Sequence, residues 1–94
     1  MKPPRRRKAE DAPQPWEPPP ADEQDVRAIK ALAAGVASEG QQRIALAWII
    51  NRAAGTYDLS FRPGPEGSRL TDFAEGKRFV GLQLVRLINI RMPA

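Results

Sequence analysis

"TDFAEGKRFVGL", residues 71–82, sets Gly76 and Gly81 around a Lys77-Arg78 pair, just ahead of a strongly apolar C-terminal stretch. Glycine beside lysine suggests a phosphate-cradling loop. Such a loop follows a strand, and its lysine follows the second glycine and precedes Ser or Thr. Here the lysine follows the first glycine, no Ser or Thr comes after it, and no strand pattern precedes it. A dinucleotide fingerprint fails for the same structural reason. The stretch reads as helix interior. Each glycine there costs about 0.8–1 kcal/mol relative to alanine, so a compensating close contact is expected at Gly76 and Gly81.

Outward from this point, the third helix is expected to start near Thr71 or Asp72, run to about Ile90 and stop ahead of Pro93. At 100° per residue, Phe73, Val80, Leu84, Leu87 and Ile88 form its main stripe. Phe79, Leu82 and Ile90 lie off it, as a second apolar strip suited to a partner. Gly76 falls at the edge of the main stripe, where another segment can approach. Lys77 sits near that stripe with its charge at the rim. Arg78 faces outward near Glu75.

Upstream, Asp22 suits a helix cap, with Glu23 and Asp25 favouring the positive end of the helix dipole. Val26, Ile29, Leu32, Ala33 and Val36 then gather on one face opposite Arg27, Lys30 and Ala34, predicting a helix to about Ala37. "SEGQ", residues 38–41, matches a capping box in which Ser38 caps and Gln41 reaches back. The second helix is expected to run to about Ala54 and stop at Gly55, a favoured left-handed terminator. Its apolar residues point in several directions: Ile44 with Trp48, Ile49 with Ala53, Leu46 with Ile50. A helix apolar nearly all round is a buried one. About 70 residues cannot wrap it fully, so Leu46 and Ile50 become partner-facing candidates. Arg52, one turn beyond Trp48, is placed to stack on the indole. "GTYDLSFRPGPEGSR", residues 55–69, reads as a long loop. Tyr57, Leu59 and Phe61 alternate as a short extended piece over the core, and residues 63–68 form the loop tip.

Residues 1–21 hold seven of the ten prolines and read as an extended, polyproline-like arm. Trp16 within it is either an anchor for a groove on a partner or a residue that folds back on its own domain. The expected architecture is all-α: a three-helix domain over residues 22–94, with a long loop between helices two and three, preceded by the arm.

Composition narrows the chemistry. The 94 residues contain neither cysteine nor histidine, so disulfides, thiolate nucleophiles and imidazole catalysis are out, and zinc sites nearly so. Glu39, Asp58, Glu66, Asp72 and Glu75, the acids of the folded part, each have a capping, turn or surface explanation. No enzyme activity, cofactor or metal is expected. No signal peptide is visible, and the longest apolar run, "IALAWII", is too short to span a bilayer. The net charge of +4 is unevenly spread: residues 1–8 carry five bases, residues 9–25 six acids, and the remainder ten bases against five acids. A basic domain suits nucleic acid or an acidic protein surface, or is simply a soluble exterior. Arg5, Arg6, Arg7 and Lys8 are the candidates for such a contact, and one to phosphates would be steeply salt-dependent.

"SEGQQRIALAWIINRAAGTYDLSF", followed after a gap by "FAEGKRFVGLQLVRLIN", resembles a family of small tailed-phage proteins, the Bbp-nineteen-like phage domain. Gly40, Trp48, Arg52, Gly55, Ser60, Phe61, Phe73, Glu75, Gly76, Val80, Gly81 and Leu82 fit its pattern. Gln41 and Gln42 replace basic residues, Ala74 stands where Asn is common, and Lys77 replaces an Arg. The resemblance spans about residues 24–90 and carries no catalytic residue. It implies a structural or assembly protein of the virion, made in the host cytoplasm and present in many copies beside capsid, portal or tail-connector proteins, with no membrane contact. Trp16, Leu46, Ile50, Phe79, Leu82 and Ile90 are the expected protein-binding residues; Ser38, Gly55, Gly76 and Gly81 are structural. A DNA-binding accessory protein for genome packaging or ejection is the alternative reading.

Overall fold

A computed structural model describes residues 14–93; Arg5 to Lys8 lie outside the described residues. The chain is all-α, with α1 at Glu23–Ala33, α2 at Glu39–Trp48 continuing into a π-helical turn at Ile49–Ala53, and α3 at Gly67–Asn89.

Capping residues set most boundaries. Asp22 accepts the Asp25 backbone N–H at 2.8 Å, and the Asp25 carboxylate accepts that of Asp22 at 3.1 Å, a reciprocal box opening α1. Ser38 and Gln41 do the same for α2, at 3.1 and 3.0 Å. α1 ends at Ala33, short of the expected Ala37, because Gly35 turns left-handed with φ +73°. The backbone N–H groups of Gly35 and Val36 then bond back to the carbonyls of Leu32 and Ala31, closing the helix end. Val36 therefore lies outside the helix and is exposed.

α2 resolves its scattered apolar pattern by widening. Buried Ala45 and Ile50 are five residues apart, a spacing that would place them on different faces of a regular α-helix. The π turn carries Ile50 and Ala54 round to the side of Ala45. Ile50, only 8% exposed, is thus a core residue and not a partner-facing one. The turn stops at Gly55, φ +59°, as the sequence suggests.

α3 begins at Gly67, earlier than the Thr71–Asp72 start its capping pattern implies. Gly67 packs beneath the Arg62 carbonyl, where a Cβ would overlap the oxygen. The Thr71 hydroxyl, instead of capping, accepts the Arg62 backbone N–H at 2.9 Å. The Arg62 guanidinium folds back to donate to the carbonyls of Leu59, Ser60 and Phe61 at 2.8–3.3 Å. Tyr57, Leu59 and Phe61 point outward and do not cover the core.

The core is made of small side chains: Ala28, Ala45, Ala54, Ala74 and Thr56, with Ile50 as its one large apolar member among the described residues. α3 joins it through Gly67, Ala74 and Gly81, a line recurring every seven residues. Phe73, Val80 and Leu87 are rotated roughly 100° from that line and remain largely exposed, so most of the stripe expected to be core is the outer flank, with Leu84 half-buried. The cause is Gly81. A Cβ there would overlap the Thr56 hydroxyl and come within 2.9 Å of the Ala54 methyl. Gly76, by contrast, has open space around its Cβ direction and supports no packing contact.

The two glycines should therefore respond oppositely. Gly81→Ala is expected to destabilise the fold by about 1–3 kcal/mol through overpacking. Gly76→Ala should stabilise it by up to about 1 kcal/mol through helix propensity. Urea unfolding of dilute protein measures both; equal losses would contradict the placement of α3.

Candidate functional site

Thr56 ties the helices together. It is fully buried, its hydroxyl donates to the Ile50 carbonyl at 2.6 Å, and its N–H reaches the same oxygen at 3.2 Å. The widened turn makes that bond one residue longer in sequence than at an ordinary glycine-terminated helix end. The Thr56 carbonyl accepts the Arg78 Nε–H at 2.9 Å from α3. Arg78 is therefore a clamp on the loop, half-buried and also paired with Glu75 at 3.3 Å, where an outward solvated charge is expected. Nothing in the residue pattern except the Gly55-Thr56 succession signals this knot.

The residues ahead of α1 are strapped onto the helices. Pro15 is buried, and its carbonyl accepts the Lys77 ammonium at 2.7 Å. The Trp48 indole N–H donates to the Pro20 carbonyl at 3.1 Å. Proline suits this role, since its fixed backbone presents carbonyls at little entropic cost and leaves no N–H to satisfy. Between the two anchors, Trp16 meets Phe73 edge-on, with ring centroids 6.3 Å apart and an interplanar angle of 85°. Of the two roles open to Trp16, the structure shows folding back on its own domain, though the ring stays 56% exposed. Trp16 and Phe73 then wall a groove of about 540 Å³ with Leu70, Glu66 and Arg69. The expected stacking of Arg52 on Trp48 is not among the described aromatic contacts. Arg52 lines a second, polar cleft with residues 14, 15 and 17–20 of the strap.

From Phe79 onward α3 carries large apolar residues at its surface, although Leu84 and Val85 stay half-buried. Phe79, Val80, Leu87 and Ile88 are each more than half exposed, at 62, 57, 55 and 57%, and Ile90 and Met92 continue the apolar surface beyond the helix end. Leu82 on α3 and Leu46 on α2 are also exposed. Of the residues expected to bind protein, Leu46, Phe79, Leu82 and Ile90 thus lie at the surface, Trp16 caps Phe73, and Ile50 is internal. The structure adds Val80, Leu87 and Ile88, which the sequence pattern assigns to the core.

No group of His, Cys, Asp or Glu among the described residues is clustered to hold a metal, and no described helix is long and apolar enough to cross a membrane. What the surface can do is bury apolar area. Each of the large side chains on α3 would gain about 1.5–3 kcal/mol on full burial.

No family model, curated protein or solved structure matches the chain.

The strap generates a direct expectation. With Trp48 replaced by Phe, Trp16 is the sole indole and the Pro20 contact is already lost, so Lys77→Met removes the remaining Pro15 anchor. Its emission should then shift to the red and quenching by acrylamide should increase. Unchanged emission and quenching would mean that the strap does not depend on the Lys77 contact.

Proposed function

We propose that the chain is a structural or assembly component of a tailed-phage particle and acts by docking onto other proteins. The observation that carries the docking is the outward flank of α3. Its large aliphatic and aromatic residues stay uncovered because the small line Gly67–Ala74–Gly81 is spent on the body. Phe73, Val80 and Leu87 form an exposed row at seven-residue spacing, and an apolar row of this kind is a liability for an isolated monomer and the usual mark of a protein-binding face. The phage setting is supported by the motif resemblance running from Gly40 to Leu82. It points to capsid, portal or tail-connector neighbours and to many copies in a symmetric assembly. Neither a catalytic step nor a bound cofactor is part of the reading.

DNA contact is a second reading, favoured by one observation: after Glu75, α3 and its tail carry Lys77, Arg78, Arg86 and Arg91 and no acid. Two of these are engaged within the body, by Pro15 and Thr56, which leaves a thin basic surface for phosphates. Docking is therefore preferred.

Size-exclusion chromatography with light scattering, at low and high salt and with or without duplex DNA, separates the two. The docking reading expects a mass above the monomer that ignores DNA. A monomer that shifts with DNA at low salt and releases it at high salt would overturn it.

A further inference from the structure

Charge is segregated along the chain. Residues 17–26 carry four acids, Glu17, Asp22, Glu23 and Asp25, and no base; residues 76–93 carry four bases and no acid. Lys77 and Arg78 are held by carbonyls of the body, and Arg86 leans on Gln83 at 3.2 Å. Arg91 donates no hydrogen bond among the described residues and stands beside exposed Ile90 and Met92.

The acidic end holds a matching recess. Ala21, Asp25, Val26, Ile29, Lys30 and Trp48 line a pocket of about 270 Å³. Its walls are the aliphatic side chains of α1 and the indole of Trp48, which the Pro20 carbonyl holds in orientation. Asp25 gives one oxygen to the Asp22 cap and retains acceptor capacity for a base. Lys30 lies on the other side, and Arg27 is already paired with Glu23, so Asp22 and Asp25 are the acids left to meet an incoming base. Drug-sized ligands occupy about 300–1,000 Å³, so a recess this small fits a few protein side chains better than a cofactor.

We infer that a second copy of this chain fills this pocket. The end of α3 and the tail after it, Ile88–Asn89–Ile90–Arg91–Met92, seat their aliphatic side chains against Val26, Ile29 and Trp48, with Arg91 toward Asp22 and Asp25. This rests on the docking reading above and specifies its geometry. Within one chain no α1 Cα lies within 8 Å of an α3 Cα, and it is the tail of a neighbour that meets the pocket. Pairing tail to tail would bring Arg86 and Arg91 against their own kind, and pairing pocket to pocket would oppose acids. Head-to-tail contact alone puts opposite charges together. Each copy has one tail and one pocket, so the contact is heterologous, and it closes into a ring or propagates as a filament.

Two lesions on the full-length chain test this. Val26→Lys blocks the pocket, and Ile90→Glu with Arg91→Glu disables the tail outside the helix. Light scattering should show wild-type oligomers beyond a dimer and each variant monomeric. An equimolar mixture should give a heterodimer and nothing larger, because one tail and one pocket remain intact. Ala21→Lys serves as a second pocket block should Val26→Lys lose helical circular dichroism. A wild type that stays monomeric at every concentration overturns the head-to-tail contact, as does a mixture that remains monomeric. Oligomers that persist in both variants also overturn it while leaving docking intact; a monomer that shifts with DNA removes both.

Discussion

A buried threonine facing a glycine governs this fold. Thr56 has its hydroxyl and N–H on the Ile50 carbonyl and its own carbonyl on Arg78, so all its polar groups are satisfied without water. α3 can reach it only because Gly81 presents no side chain. Such an arrangement replaces bulk with proximity. Backbones and methyl groups approach closely, and the core is filled by alanines, one isoleucine and a threonine. Burying a hydroxyl is tolerable when its hydrogen bond is made and costly when it is not. The geometry of α3 against the widened turn is therefore strongly specified despite the small apolar content of the contact.

The large hydrophobic residues follow from that choice. A helix that spends its glycine and alanine line inward must turn Phe73, Val80 and Leu87 outward. At 1.5 Å per residue, the 23-residue α3 is about 34 Å long and extends past the part of the body it packs on. The strap covers Phe73 with Trp16 and reaches the two helical units through Lys77 and Trp48. It leaves the distal flank bare. The same segment brings acids to the entry of α1, while the far end of α3 is basic. Apolar surface supplies affinity and charge supplies direction, a division of labour common at interfaces.

Local chemistry was readable from residue types alone. Asp22, Ser38 with Gln41, and Gly55 mark ends by hydrogen-bonding rules that act over a few residues, and the structure places them accordingly. Gly35 carries the same kind of signal and ends α1, overriding an apolar pattern that continues to Val36. Periodicity was the weaker guide. It ranks faces by bulk, so it assigned the inward side of α3 to the phenylalanine–valine–leucine stripe and expected at Gly76 a close contact that Gly81 makes and Gly76 does not. It also assumes 3.6 residues per turn, so a π turn that brings Ile50 beside Ala45 is invisible to it. Within the candidate docking surface, Phe79, Leu82, Leu46 and Ile90 were recognisable as surplus apolar residues. Val80 and Leu87 were hidden because nothing local distinguishes an outward stripe from an inward one, and Ile88 continues the Gly67–Ala74–Gly81 line yet is exposed. The anchoring of the strap by Lys77 depends on residues 62 positions apart, beyond any short-range pattern.

The chain has no cysteine, so single introduced thiols report accessibility without interference. Labelling rates of Ala74→Cys and Val80→Cys across a range of protein concentrations test the central claim, that α3 packs by its small line and docks by its large one. The thiol at 74 should be protected at every concentration. The thiol at 80 should react freely in dilute protein and become protected as the concentration rises. A thiol at 80 that is protected even at high dilution, with 74 reactive, would place the opposite face of α3 against the body and contradict the account.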